Sequence, residues 1–214
     1  MLSKGIVLVL FVAILVPMNS LAVGGGHENL MQRQREALQG QLQKQTQATA
    51  RANPKRASRY TKAGKKYLAR ARATEDKKSA TKEYNRAVEK FERALQLDAE
   101  QLDAQLALAE IYLATNEAQK ALEASARSLQ ITGGNPLGLR YRGEALTRLH
   151  HFNDARYVHE ILLDLGHPTH AKQLLAAMQA WQHSEKNNSS VAEHPEFEDF
   201  SDWLNTAAAP THTD

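Results

Sequence analysis

The chain contains no cysteine among its 214 residues. This absence excludes disulfide frameworks, zinc sites with cysteine ligands and thiol nucleophiles. It also excludes a bacterial lipoprotein anchor, which is attached to a cysteine just after the leader. Exported animal proteins of this length usually carry disulfides, so the composition favours a bacterial periplasm.

Glycine and proline are also scarce, at 11 and 6 residues. Leu, Ala, Gln, Glu, Lys and Arg dominate, and these residues lose little side-chain freedom in a helix. The sequence has no glycine-rich phosphate loop, nucleophile elbow or His-Glu-x-x-His motif. Among the nine histidines, His167 and His170 are three apart, but Pro168 separates them at a helix start and no carboxylate stands at a matching spacing to complete a metal site. We therefore predict an all-α protein that is not an enzyme and that carries no cofactor or metal.

The first 22 residues have the pattern of a signal peptide. Lys4 precedes an apolar run at residues 6–16, Pro17 ends the run, and Ser20 and Ala22 stand at the small-residue positions of a cleavage site. We expect a periplasmic or secreted protein that starts at Val23. The alternative is an uncleaved anchor that holds the chain at the inner membrane, facing the periplasm.

A period of 34 residues runs through the middle of the chain. At this spacing four columns of residues align across three copies. The columns are Ala87, Ala121 and Ala155; Leu95, Leu129 and Leu163; Leu97, Ile131 and Leu165; and Tyr84, Ala118 and Phe152. A fixed period of this length marks a helical repeat architecture.

These columns resemble the tetratricopeptide repeat, a pair of antiparallel helices. The family pattern places Leu-Gly-x-x-Tyr in the first helix and Ala-x-x-x-Phe-x-x-Ala in the second. Here Leu108, Ala109 and Tyr112 match the first helix, and residues 87–94 match the second. The early Trp of the family is absent, and Gly133 and His167 stand where its terminal Pro is expected.

The resemblance implies an antiparallel helix-pair solenoid of about three repeats with a C-terminal capping helix. The first repeat is irregular, because 45 residues rather than 34 separate Gly64 from Ala109. The extra residues form either lengthened helices or a long turn. The chain then divides into a signal peptide, 1–22; a Gln-rich and basic extension, 23–56; repeats at 57–101, 102–135 and 136–168; a capping helix, 169–183; and an acidic flexible tail, 184–214.

The concave groove of the opening helices is the default binding site that the resemblance implies. Leu106 and Glu110 occupy two places where chaperone-binding members carry residues that clamp a terminal carboxylate. We therefore expect the groove to bind a peptide or helix of a partner protein. The groove positions are Asp103, Leu106, Glu110, Leu113, Leu137, Arg140, Glu144 and Arg148.

Charge is segregated along the chain. No acidic residue lies between Glu36 and Glu75, although this stretch contains ten Lys and Arg residues. Like charges repel, so this basic stretch would be stabilised by an anionic partner: a lipid surface, an acidic polysaccharide or an acidic protein face. A solvated basic helix is the open alternative. The candidate anionic-surface residues are Arg51, Lys55, Arg56, Arg59, Lys62, Lys65 and Lys66.

The C-terminal tail is acidic and contains aromatic residues. Phe197, Phe200 and Trp203 follow one another at a spacing of three, with Leu204 beside them, which places them on one helical face. This pattern is typical of a short helix that folds on docking in a groove. Whether the tail docks on its own chain or on a partner is left open.

Together these features predict a non-catalytic scaffold or adaptor in the bacterial cell envelope, which binds another protein and not nucleic acid. The alternatives are a membrane-anchored structural subunit of a pilus, secretion or polysaccharide system, or a regulator that binds an anionic envelope surface. The family implies this role only in general terms, since a fold does not determine a function.

Overall fold

The computed structural model describes residues 53–185 and 187–207, and these residues form nine α-helices and no strand. The helices are α1 (Pro54–Arg72), α2 (Lys77–Leu97), α3 (Leu102–Ala114), α4 (Ala118–Ile131), α5 (Pro136–Arg148), α6 (Phe152–Asp164), α7 (Pro168–Glu185), α8 (Ser189–Ala192) and α9 (Phe197–Ala207). The predicted all-α repeat solenoid is confirmed.

Several helices begin at a capping residue. Asn53 Oδ1 accepts from the backbone N–H of Arg56 at 3.0 Å, with Pro54 in the first turn of α1. Asn135 caps α5 in the same way, through the N–H of Gly138 at 2.9 Å. A side-chain acceptor satisfies a backbone donor that has no partner inside the helix, and proline suits the first turn because it lacks that donor. Helix α1 therefore begins three residues before the expected boundary at residue 57.

Three helices end in the same backbone motif. Asn116, His150 and Gly166 follow α3, α5 and α6 with φ of 62°, 63° and 74°. In each case the N–H of the next residue donates to the carbonyl five positions earlier, at 2.7 to 3.0 Å. This left-handed cap satisfies the last carbonyls of a helix and turns the chain into the next one.

The helices pack as neighbouring antiparallel pairs, α1 with α2, α3 with α4 and α5 with α6, and α7 covers α5 and α6. The column Ala87, Ala121 and Ala155 is fully buried. Small side chains at the helix contacts allow close approach of neighbouring backbones. The 34-residue period therefore marks repeated packing contacts.

The extra residues of the first repeat lie in longer helices. Helices α1 and α2 have 19 and 21 residues, whereas α3 to α6 have 13 or 14. Gly64 of α1 lies against the ring of Phe91 in α2, and a Cβ at residue 64 would stand 2.7 Å from Phe91 Cε1. This close approach joins the two long helices.

Two core clusters share the interior. The first, around Phe91 and Ile111, extends from α1 to α5, and the second, around Phe152 and Leu174, extends from α5 to α9. Neighbouring repeats thus share side chains rather than forming separate cores, which is the way solenoids gain stability.

The expected flexible tail at 184–214 differs from the structure. Residues 197–207 form α9, which packs on α6 and α7. Phe200 and Leu204 are 3% and 0% exposed, so the burial of their apolar side chains stabilises the helix against its own chain. None of the described helices is both long and apolar enough to cross a bilayer. The predicted signal peptide lies outside the described residues.

Candidate functional site

Ion pairs join the first two opening helices, α1 and α3. Lys65 Nζ lies 2.6 Å from Asp103 Oδ2. Seven residues further along both helices, Arg72 Nε donates to Glu110 Oε1 at 2.7 Å, and its Nη2 contacts both carboxylate oxygens. Two arginine nitrogens on one carboxylate hold its orientation more firmly than a single contact does. Glu110 is therefore held in place between α1 and α3.

Helix α5 joins the same network. The Tyr141 hydroxyl donates to Glu110 Oε2 at 3.2 Å, so that carboxylate contacts residues from two neighbouring helices. Arg148 Nη1 donates to the backbone carbonyl of Leu113, near the end of α3. The Leu113 carbonyl also accepts from the backbone N–H of Asn116 at 3.2 Å, so this contact fixes Arg148 at the end of α3.

An open cleft of about 350 Å³ lies above this network. Its charged side chains come from all three opening helices, with three arginines against two glutamates. The lining residues are Arg72, Glu110, Leu113, Ala114, Arg140, Tyr141, Glu144 and Arg148. We call this cleft the groove.

Arg140 and Glu144 are one helical turn apart in the groove. Arg140 Nη1 and Glu144 Oε1 are 3.1 Å apart, but their geometry is not that of a hydrogen bond. Arg140 Nε and Glu144 Oε1 are both buried and have no hydrogen-bond partner in the described part of the chain. Buried polar atoms without partners cost free energy, so Arg140 Nε is an unused donor of the groove, whereas Glu144 Oε1 still lies beside the charge of Arg140.

Burial shifts the pKa values of ionisable side chains that line the groove. Burial first, and then the charge of Glu110, raises the pKa of Tyr141 to about 12. Burial also raises the pKa of Glu144, while Arg140 and Arg148 act in the opposite direction. The hydrogen bond to Glu110 raises the pKa of Arg72. At neutral pH Tyr141 therefore keeps its proton and serves as a donor.

Five of the eight predicted groove positions line the groove: Glu110, Leu113, Arg140, Glu144 and Arg148. Asp103 lies outside the lining and pairs with Lys65. Leu106 and Leu137 pack against the first core cluster. The sequence prediction did not include Arg72, Ala114 or Tyr141. Arg72 could have been placed opposite Glu110 only if the alignment of α1 against α3 had been known, and the irregular length of the first repeat conceals that alignment.

The candidate anionic-surface residues divide into two groups. Lys55, Arg56, Arg59, Lys62 and Lys66 are exposed on α1. Lys65 is instead ion-paired with Asp103 on the groove side. Arg51 lies outside the described residues. Exposed cations at 55, 59, 62 and 66 follow a helical spacing and share one side of α1.

The predicted docking residues of the tail lie on α9. Phe200 stacks on Phe152 of α6, with 4.7 Å between ring centroids. Trp203 meets the ring of His159 edge-on at 5.4 Å, and Arg156 lies 5.6 Å from the Trp203 centroid. Phe197 and Trp203 are partly buried against the second core cluster. Gln182 Nε2 also donates to Ser201 Oγ at 2.6 Å, so α7 and α9 share a polar contact.

No set of three His, Asp or Glu side chains converges closely enough to hold a metal ion within the described residues. Two histidines instead pack against the ring of Phe152, which belongs to the second core cluster. His150 stacks on Phe152 at 5.7 Å, and His194 meets the same ring edge-on at 5.1 Å.

Comparison with known families agrees with this architecture. Residues 79–138 match the model of the tetratricopeptide repeat, from α2 through α3 and α4 into α5. This match covers 60 of the 214 residues and supports tetratricopeptide repeats in that part of the chain. Repeats of this kind generally mediate protein–protein interaction, and the proteins that carry them are typically non-catalytic. No curated protein matches the chain.

Proposed function

We propose that this protein is a non-catalytic scaffold that binds a segment of a partner protein in the groove. The observation that carries the proposal is the groove itself, where charged side chains from three helices converge around Arg140 Nε, a buried donor that has no hydrogen-bond partner among the described residues. A peptide offers both donors and acceptors along its backbone, so it suits a groove that is lined by arginine and glutamate side chains.

The rest of the groove suits this role. Arg72, Tyr141 and Arg148 are already held by contacts to α3, so they need little reordering when a partner binds. Preorganised side chains reduce the entropy cost of association. The excess of one arginine over the glutamates favours a segment with an acidic side chain, and Leu113 and Ala114 add a small apolar surface.

Peptide selection on the full chain tests the groove. We expect peptides selected from a displayed library to perturb the NMR signals of Ala114 and Glu144. Glu144→Gln removes the carboxylate at nearly constant size and should weaken binding about tenfold, since a charged hydrogen bond contributes roughly 1.5–3 kcal/mol. The matched control is Glu160→Gln on α6, outside the groove. Selected peptides that bind equally well to Glu144→Gln would contradict the proposal.

We further propose that the scaffold operates in the bacterial cell envelope, as a periplasmic or secreted protein. The basis is the leader pattern in residues 1–22. N-terminal sequencing of the exported protein tests this assignment, and a start at Val23 is expected. An intact N-terminus in the membrane fraction would favour the alternative, an anchored structural subunit of an envelope assembly.

A second contact is proposed for α1, on the observation that Lys55, Arg59, Lys62 and Lys66 are exposed along one side of the helix. An anionic lipid or polysaccharide surface would neutralise this stripe. Co-sedimentation with vesicles that contain phosphatidylglycerol should decrease as salt rises, because exposed charges are screened. Sedimentation that is unchanged by Lys62→Glu with Lys66→Glu would rule this contact out.

A further inference from the structure

Two tyrosines of α1 lie on a different side of the helix from the groove contacts. Tyr60 and Tyr67 are seven residues apart, partly buried, and packed against the first core cluster. Arg70 Cζ lies 5.6 Å and Arg86 Cζ lies 5.9 Å from the centroid of the Tyr67 ring. Two guanidinium groups, one from each helix of the first pair, therefore lie near this ring, and that of Arg86 is also ion-paired with Glu83.

Tyr60, one heptad before Tyr67, also has arginine neighbours. Side-chain contacts with Arg56 and then with Arg93 lower the pKa of Tyr60. Arg93 follows Arg86 by seven residues on α2, just as Tyr67 follows Tyr60 on α1. At 1.5 Å per residue the two units are about 10 Å apart. We call this surface the Arg–Tyr face: Arg56, Tyr60, Tyr67, Arg70, Arg86 and Arg93.

The Arg–Tyr face is the outer face of the first helix pair. The contacts of α1 with α3 come from Lys65 and Arg72, which lie on another side of α1. At the other end of the solenoid α7 and α9 cover the third repeat, but no helix of the described residues covers the Arg–Tyr face. Solenoid ends need a polar cap or a partner, and this end presents cations around two aromatic rings.

Charge complementarity points to the occupant. Residues 53–97 contain fourteen Lys and Arg against five Asp and Glu, whereas residues 187–207 contain five Asp and Glu and no Lys or Arg. Glu198, Asp199 and Asp202 are exposed on α9. Residues 23–52 contain four Lys and Arg against two Glu, so that segment does not complement a cationic surface.

We propose that copies of this chain associate head to tail, with the acidic side of α9 in one copy docked on the Arg–Tyr face of the next. Each copy then uses two different surfaces, so the contact is heterologous. Such contacts produce rings when the rotation closes and open chains when it does not. The contact lies between exposed charges and weakens as salt screens them.

Sedimentation of the full chain tests the proposal. In low salt we expect the average mass to rise with protein concentration, and in high salt we expect monomer. The double substitution Arg70→Glu with Arg93→Glu reverses charges on the Arg–Tyr face. The double substitution Asp199→Lys with Asp202→Lys reverses charges on the acidic side of α9. Each double variant should weaken association about tenfold or more, because several exposed ion pairs become repulsive. The matched control is Lys77→Glu with Lys78→Glu, in the first turn of α2, where acidic residues suit the helix.

Combining the variants separates a direct contact from damage to either helix. A chain that carries both reversals should associate again, because its surfaces are complementary once more. A mixture of the two single-surface variants should also associate, because the unchanged α9 of one variant meets the unchanged Arg–Tyr face of the other and the two reversed surfaces are complementary as well. If the full chain stays monomeric in low salt, or if neither combination restores association, the proposal is wrong. Vesicle binding through Arg70 and Arg93 without self-association would also overturn it.

Discussion

The ring of Phe200 on α9 stacks on the ring of Phe152 on α6, with 4.7 Å between centroids and 21° between planes. Phe152 is the first residue of α6 and belongs to the column of Tyr84 and Ala118 in the 34-residue period. The C-terminal helix is thus attached to a repeat position that is already part of the core. Its docking depends on the third repeat being folded.

Removal of the Phe200 ring should detach α9 while the repeats stay folded. Phe to Ala in a packed core costs about 3–5 kcal/mol, and α9 has few other buried side chains to hold it. We expect Phe200→Ala to shift the tryptophan fluorescence to longer wavelength as Trp203 enters water, with a partial loss of helical circular dichroism. Phe200→Leu is the control and should keep most of the native emission. Native emission in Phe200→Ala would contradict the assigned docking.

The close contact between Gly64 and Phe91 should make an alanine unfavourable in the middle of α1. A Cβ at residue 64 would lie 2.7–2.9 Å from three atoms of a ring that is fully buried. Overpacking costs about 1–3 kcal/mol, which exceeds the gain of roughly 1 kcal/mol in helix propensity. We expect Gly64→Ala to lower the free energy of unfolding, measured in urea.

Gly133→Ala is the matched control, because a Cβ there meets nothing within 4 Å. At such a site the loss of flexibility in the unfolded chain stabilises the folded state by about 0.4–1 kcal/mol. If Gly64→Ala and Gly133→Ala changed the free energy of unfolding equally, the Phe91 ring would have to move aside at little cost.

The repeat core was predictable because the period repeats a packing contact. Ala87, Ala121 and Ala155 align at 34 residues and are all fully buried. The turn at Gly134 was predictable from local chemistry, since its φ of 71° suits glycine and Pro136 opens the next helix. Both features depend on residues close together in sequence or on a fixed spacing.

The remaining features depend on contacts that no local pattern specifies. The spacing of Phe197, Phe200 and Trp203 defines a helical face, but the surface that covers it depends on where α6 and α7 lie. In the same way, the pairing of Arg72 with Glu110 depends on how far α1 extends past α3. The eleven extra residues of the first repeat hide that register from a sequence comparison.

Acidification should destabilise the protein through His159. Burial lowers the pKa of His159 below its ordinary value of 6.5, and Glu160 acts in the opposite direction. The unfolded chain therefore binds a proton at a higher pH than the folded chain. The stabilising contribution is complete above the unfolded pKa and is lost as pH falls through about 6.5 toward the folded pKa. For one proton the slope is at most about 1.4 kcal/mol per pH unit.

Urea unfolding between about pH 7.5 and pH 5 measures this slope, and His159→Gln should reduce it. Part of the dependence of the unfolding free energy on pH should remain in His159→Gln, because the pKa of His170 is also lowered, by burial and then by Arg140 and His167. His170→Gln serves as the control and should remove that remaining part. A slope that His159→Gln leaves unchanged would contradict the assignment.

The groove network should be visible in the titration of Tyr141. Burial is the first cause of its pKa of about 12, and the charge of Glu110 is the second. Glu110→Gln should therefore lower the pKa of Tyr141 but leave it above 10, because the burial remains. Carbon-13 NMR of labelled tyrosine rings at alkaline pH measures this value. Asp103→Asn removes a carboxylate from the same helix without touching Tyr141, so it should leave the titration unchanged. A Tyr141 pKa of 10 or below in Glu110→Gln would mean that charge, and not burial, dominates in the groove.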